Sequence, residues 1–89
     1  MITIVRSKRF EEEYKKFVRR NISRAESIIK TLTLFVKNSR HPSLNIEKLH
    51  GSAIWSMRLS KSNRLFFLWI DESTIMLVDV GAHDKYKKY

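Results

Sequence analysis

The sequence predicts an α+β domain in which one strand is followed by an antiparallel helical hairpin and then by a three-stranded antiparallel meander. Two segments between residues about 8 and 38 repeat apolar side chains at helical spacing. Three later segments, after residue 54, are short, rich in apolar residues and separated by polar turns, as in antiparallel strands. Since 89 residues suffice for one domain, we expect residues 1–89 to form a single two-layer unit.

The first strand and helix are predicted from alternation and capping. Residues 2–5 alternate strongly apolar Ile with Thr and Val, which indicates a short strand. Ser7 offers an N-cap, and the glutamates at 11–13 complement the helix dipole near its first turn. We therefore predict a helix from about Lys8 to Arg20. Its apolar stripe is Phe10, Tyr14, Phe17 and Val18.

The second helix is predicted from about Arg24 to Asn38. Asn21 and Ile22 read as a tight break, and Ser23 with Glu26 has the spacing of a capping box. So short a connection makes the two helices an antiparallel hairpin. The apolar stripe of this helix is Ala25, Ile28, Ile29, Leu32, Phe35 and Val36.

The meander follows an ordered loop. Pro42 ends the second helix, and residues 45–53 are predicted to be loop. Residues 55–59 alternate as a half-buried strand, whereas 65–70 are apolar on both faces and predict a strand covered on both sides. A last strand covers 74–80, and the basic tail after it is predicted to form a terminal helical turn. Trp55 and Trp69 are interpreted as core residues, and the helices leave one sheet face at least partly open.

Composition narrows the function to a polyanion-binding protein. Eighteen Lys and Arg against nine Asp and Glu give a net charge of +9 and a pI near 10.2. The absence of Cys excludes disulfide and thiolate chemistry, and no apolar run approaches the roughly 18 residues of a membrane span. No glycine-rich phosphate loop or zinc spacing is present, so we expect no cofactor. The apolar segment at the N-terminus is too short to be the core of a signal peptide, which favours a cytoplasmic location.

Four residues of the predicted sheet and tail suit phosphate chemistry: Arg58, Arg64, His83 and Tyr86. RNA is cleaved when its 2′-hydroxyl attacks the adjacent phosphate, which requires proton removal, charge stabilisation and protonation of the leaving 5′-oxygen. Arginine matches phosphate oxygens and stays charged, histidine transfers protons near neutral pH, and tyrosine stacks on bases or donates a proton.

The chain resembles the RelE/ParE superfamily of bacterial type II toxins, most specifically in Leu49–Tyr86. The order of elements, the length and the basic charge agree with this resemblance, which covers nearly the whole chain. The segments that carry it are Leu49-His50-Gly51, Trp55-Ser56-Met57-Arg58-Leu59, Asn63-Arg64-Leu65-Phe66-Phe67 and Val80-Gly81-Ala82-His83-Asp84-Lys85-Tyr86.

The resemblance implies a toxin that enters the ribosomal A site, cuts mRNA there, and is inhibited by an acidic antitoxin that wraps its basic surface, as a possible toxin–antitoxin hetero-oligomer. It makes Arg64 the arginine that stabilises phosphate charge, His83 the proton-transfer residue of the YoeB and YafQ branches, and Tyr86 the C-terminal aromatic. Arg58 takes the basic position on the preceding strand. Either Lys48 or Glu47 could match the charged residue before the loop glycine.

Further cations are candidates for RNA contact on the ribosome: Lys48, Lys61, Lys85 and Lys87. One departure from the family is clear, because Ser60-Lys61-Ser62-Asn63 replaces the histidine and Pro-Asp-Trp of the YafQ turn, so a full YafQ-type site is not expected. His41 and His50 are interpreted as loop residues, and Arg58 has an alternative role as an ion-pair partner of Asp79.

Two other functions remain open from the sequence. A ParE-like toxin that binds DNA gyrase shares the fold without cutting RNA, although such chains generally lack the basic and acid–base set. An inert basic module that binds nucleic acid is the third possibility.

Overall fold

A computed structural model describes the whole chain, Met1–Tyr89, as two helices against one five-stranded sheet. The strands are β1 (Thr3–Arg6), β2 (Glu47–Lys48), β3 (Trp55–Arg58), β4 (Asn63–Asp71) and β5 (Thr74–Ala82). The α-helices are α1 (Lys8–Val18) and α2 (Ile22–Lys37), and short 3₁₀ helices span Pro42–Leu44 and His83–Lys88. We call His83–Tyr89 the tail.

The sheet order is β1-β5-β4-β3-β2, with all neighbours antiparallel except β1 and β5. The helical hairpin carries the chain from β1 across the sheet, so β1 lies parallel to the last strand rather than beside the next one in sequence. This arrangement confirms the predicted fold class of strand, helical hairpin and antiparallel meander. The prediction of loop throughout 45–53 was wrong at Glu47–Lys48, which pair with β3 as a short edge strand.

The helix starts show one confirmed cap and one corrected cap. The Ser7 hydroxyl accepts a hydrogen bond from the Phe10 amide at 3.0 Å, as predicted. The second cap is Asn21 and not Ser23, since Asn21 Oδ1 accepts from the Arg24 amide and from the Ser23 hydroxyl. α1 accordingly ends at Val18, two residues earlier than predicted, and Arg20 adopts a left-handed φ of 56° in the tight turn.

The main core lies between the helices and one face of the sheet. It consists of Phe10, Phe17, Ile28, Phe35, Leu44, Met57, Leu65, Phe67, Ile75, Leu77 and Val80. At three points the side chains are less buried than the sequence predicted. Ile29 is 64% exposed on α2, Ile70 is 50% exposed at the end of β4, and the two tryptophans are half-buried at the margin of the core.

The other sheet face is partly covered by the tail. Phe66 is fully buried although it is not part of the main core, and its ring contacts the Tyr89 ring at a centroid distance of 5.8 Å. The tail therefore gives this face a second, small apolar contact. No helix in the structure is both long and apolar enough to cross a membrane.

Candidate functional site at the tail-covered sheet face

Strand register places the candidate residues in two neighbouring rows on one sheet face. Residues directly opposite in antiparallel strands point to the same side. One row runs Glu47, Ser56, Phe66 and Asp79 across β2, β3, β4 and β5. The next row is Arg58, Arg64 and Gly81. Because β4 begins where β5 ends, Arg64 lies beside the point at which the tail leaves the sheet.

The structure brings Arg64, His83 and Tyr86 together around one small pocket of about 170 Å³. Glu47 and Ser56 supply polar groups to the same pocket, and Leu49 and Phe66 supply apolar walls. His83 and Tyr86 are exposed, with Tyr86 at 47%. A cation, a carboxylate, an imidazole and a phenol therefore share one concave surface.

Arg64 is oriented by the loop after α2. Its Nη1 donates to the Asn45 carbonyl oxygen at 3.2 Å, and Asn45 itself has a left-handed φ of 44°. One guanidinium nitrogen is thus held by backbone, while the half-buried side chain leaves its other donors available for a ligand.

Arg58 does not join this pocket. It lies directly opposite Arg64 in the register, but its Nε is 3.4 Å from the Ser60 carbonyl oxygen, and it borders a separate cleft with Ser27 and Lys30 of α2. Like charges directly opposite each other on a sheet are unfavourable, and the two arginines have separate hydrogen-bond partners. The alternative ion pair between Arg58 and Asp79 is also not formed, because Asp79 is paired with Arg9 and Lys85.

The structure places Glu47 and Lys48 on opposite faces of the sheet edge. Glu47 opposes Ser56 and lines the pocket, whereas Lys48 opposes Trp55, whose ring packs at the core side of the sheet. Lys48 is exposed on that other side, and Lys61 and Lys87 are exposed in the β3–β4 turn and the tail.

Lys85 is placed differently from its predicted role in RNA contact. Its Nζ lies 2.7 Å from Glu13 Oε1 and 2.9 Å from Asp79 Oδ1, it also donates to the Val80 carbonyl oxygen, and its side chain is only 19% exposed. An ammonium committed to two carboxylates is a poor phosphate contact, so Lys85 leaves the set of candidate RNA ligands.

Asp79 is the centre of a buried charge cluster that sequence reasoning missed. Its side chain is 0% exposed and accepts five hydrogen bonds from four residues. Oδ1 accepts from Lys85 at 2.9 Å and from the Val80 amide at 2.8 Å. Oδ2 accepts from the Tyr89 hydroxyl at 2.6 Å and from Arg9, through Nη2 at 3.2 Å and Nε at 3.4 Å. The available signal was a lone carboxylate within the otherwise apolar strand segment 75–80.

The cluster shifts the titration of its members. Burial raises the pKa of Asp79, but the hydrogen bonds from Tyr89, Lys85 and the Val80 amide outweigh it and leave that pKa below its ordinary value. The bond from Lys85 lowers the pKa of Glu13. Burial and the bond to Asp79 raise the pKa of Tyr89 to about 12. At neutral pH the cluster thus holds two carboxylates, two cations and a neutral phenol.

The structure brings no three histidine, aspartate or glutamate side chains together as a metal-binding group.

No protein-family model matches the sequence, and a search of curated proteins gave no significant match. Solved structures do share the fold, and they are structures of bacterial toxins and toxin complexes. The fold implied by the RelE/ParE resemblance is therefore confirmed.

Three of these structures show how completely the fold is shared. A YoeB/ParE toxin from Agrobacterium tumefaciens superposes with a TM-score of 0.75 at 15% identity, covering 92% of this chain and 99% of the toxin. The heterotetrameric YoeB–YefM toxin–antitoxin complex from Staphylococcus aureus gives 0.72 at 22% identity over 93% and 98%. The DinJ–YafQ complex from Escherichia coli gives 0.75 at 13% identity over 96% and 97%.

Proposed function

We propose that this protein is the toxin of a type II toxin–antitoxin system and a ribosome-dependent endonuclease that cleaves mRNA. The observation that carries the proposal is the single pocket lined by Arg64, His83, Tyr86 and Glu47, on a fold shared with YoeB and YafQ. The net charge of +9 supports a polyanionic substrate.

The pocket offers one group for each task of 2′-hydroxyl attack. The Glu47 carboxylate accepts the 2′-proton while the 2′-oxygen forms a bond to phosphorus. Arg64 donates to the equatorial phosphate oxygens, where negative charge develops. The His83 imidazolium protonates the departing 5′-oxygen as the phosphorus–oxygen bond breaks. The products are a 2′,3′-cyclic phosphate and a free 5′-hydroxyl, and Tyr86 stacks on the adjacent base.

The partners of such a toxin follow from its charge and its fold. YoeB, one of the proteins that shares this fold, is held in complex with YefM as a toxin–antitoxin pair. We infer that an acidic antitoxin binds this protein and neutralises its basic surface. We further infer that exposed Lys48, Lys61 and Lys87 contact ribosomal RNA or the message. A cytoplasmic site of action follows from these two partners.

The test is cleavage of a defined mRNA on purified ribosomes, mapped by primer extension. Arg64→Ala and His83→Ala should each lower the cleavage rate by at least about 100-fold, as removal of a charge-stabilising or acid–base group does. Arg19→Ala and His50→Ala change the same residue types at exposed positions outside the pocket and should cleave like the wild type.

Full cleavage by an Arg64→Ala/His83→Ala double variant would overturn the nuclease proposal. Gyrase-linked DNA breaks in cells, without mRNA cleavage, would instead assign the protein to the ParE-like alternative. A gyrase-binding toxin has no requirement for an imidazole and a phenol beside Arg64.

A further inference from the structure

We propose that Asp79, Lys85 and Tyr89 are positioning residues that hold the tail so that His83 and Tyr86 face the Arg64 pocket. The inference rests on the proposed function and adds three residues that do not touch the pocket's reacting groups. It assigns the buried cluster a role in the rate of cleavage in addition to its role in stability.

The tail needs such an anchor because its two candidate functional side chains are exposed. In a 3₁₀ helix, residues three apart lie on the same face, so His83 and Tyr86 project together. A short 3₁₀ helix has weak internal hydrogen bonding, so its orientation depends on contacts with the rest of the domain. The orientation of His83 and Tyr86 thus depends on the residues between and after them.

Those residues make the anchoring contacts. Lys85, between the two functional side chains, passes over Gly81 and reaches Asp79 and Glu13. A Cβ at Gly81 would lie 2.8 Å from Lys85 Cδ and Cε, which shows how closely the lysine crosses the strand. Tyr89, at the end of the tail, donates to Asp79 at 2.6 Å.

Asp79 therefore ties two points of the tail to one buried carboxylate. The Tyr89 ring adds its contact with Phe66, which also lines the pocket. The start of the tail is fixed independently, because the His83 amide donates to the Ser62 carbonyl oxygen at 2.9 Å. Fixed at its start, middle and end, the tail has little freedom to turn its functional side chains away from Arg64.

The experiment compares Tyr89→Phe with a core variant that serves as a stability control. Tyr89→Phe removes only the hydroxyl and keeps the ring on Phe66. Ile28→Val shortens a buried core residue of α2 that belongs neither to the tail nor to the Asp79 cluster. Urea unfolding measures the stability of both, and cleavage is measured at a temperature where both are folded. We expect Tyr89→Phe to cleave at least tenfold more slowly and Ile28→Val to stay within twofold of the wild type.

A second measurement separates positioning from stability. In a His83→Ala/Tyr86→Ala background, adding Tyr89→Phe should cause no further loss, because the side chains that it positions are gone. Amide hydrogen exchange should also be faster over residues 83–89 in Tyr89→Phe, with exchange in β4 unchanged.

The possible results bear on different claims. If His83→Ala alone leaves the rate unchanged, the proposed function fails. If His83→Ala abolishes cleavage while Tyr89→Phe retains the full rate, the nuclease stands and the positioning role is refuted. Equal losses for Tyr89→Phe and Ile28→Val would also refute it, since stability alone would then explain both.

Discussion

Replacement of Asp79 by asparagine is the most direct test of the buried cluster. The carboxylate accepts five hydrogen bonds, two at Oδ1 and three at Oδ2, whereas an asparagine side chain has a single acceptor oxygen. Whichever way the amide turns, the donors of two residues face an NH₂ group. Either the pair Lys85 and the Val80 amide or the pair Arg9 and Tyr89 loses its acceptor.

The magnitude follows from these losses. Removing one partner of a buried ion pair costs about 3–5 kcal/mol, because it leaves the other charge uncompensated. Arg9 is 52% exposed and can turn to water, and Lys85 keeps Glu13, so we expect the lower end, about 3 kcal/mol. That is a large share of the roughly 4–13 kcal/mol expected for a domain of this length.

The assay is urea unfolding at pH 7, followed by circular dichroism. With a dependence of the free energy of unfolding on urea of about 1.5 kcal/mol/M, the transition midpoint should fall by about 2 M while this slope stays unchanged. Asp84→Asn removes the same charge from an exposed residue of the tail and should shift the free energy of unfolding by less than about 0.5 kcal/mol. Equal effects of the two substitutions would refute the view that Asp79 organises the cluster.

Three further predictions concern Tyr89, Gly81 and the N-cap Ser7. The pKa of Tyr89 lies at about 12 in the folded protein instead of 10.0, so its stabilising contribution is present below pH 10 and is lost as the pH rises from 10 to 12. Unfolding measured across this range should show a loss on the order of 2 kcal/mol, and Tyr89→Phe should lack that component. Gly81→Ala should displace Lys85 and cost about 1–2 kcal/mol in urea unfolding; an equal cost in a Lys85→Ala background would contradict this cause. Ser7→Ala should cost about 1 kcal/mol through the lost cap on the Phe10 amide, and Ser7→Asp should restore it; no recovery would show that the hydroxyl acts otherwise.

Asp79 makes stability depend on pH in the opposite direction from Tyr89, because its contribution is lost in acid. The pKa of Asp79 is below its ordinary value of 3.8 in the folded state, so its contribution is present above pH 3.8 and is lost as the pH falls through the folded pKa. The wild type should therefore lose stability in acid more steeply than Asp79→Asn, as measured by urea unfolding between pH 5 and 2. Parallel curves for the two proteins would contradict the direction of this shift.

Local sequence patterns determined most of the fold. Helical periodicity predicted α1 and α2, alternation predicted β1 and β3, and Ser7 was identified as a cap because its hydroxyl acts three residues away. Prediction failed where two local solutions compete. Asn21 and Ser23 are both good caps, and only the turn between the helices, with Arg20 in a left-handed conformation, decides for Asn21.

In the candidate site, too, the sequence identified residues and the tertiary structure determined their contacts. The sequence by itself named Arg64, His83 and Tyr86, through residue type and resemblance. The tertiary structure places these three side chains around one pocket, adds Glu47 to its lining and leaves Lys48 and Arg58 outside it. It also shows that the Lys85 ammonium, predicted to contact RNA, is paired with Asp79 and with Glu13. Glu13 lies 72 residues before Lys85 in the chain. Local periodicity sets which face a residue takes, but which charges meet across a sheet depends on strand register and on where the tail folds back.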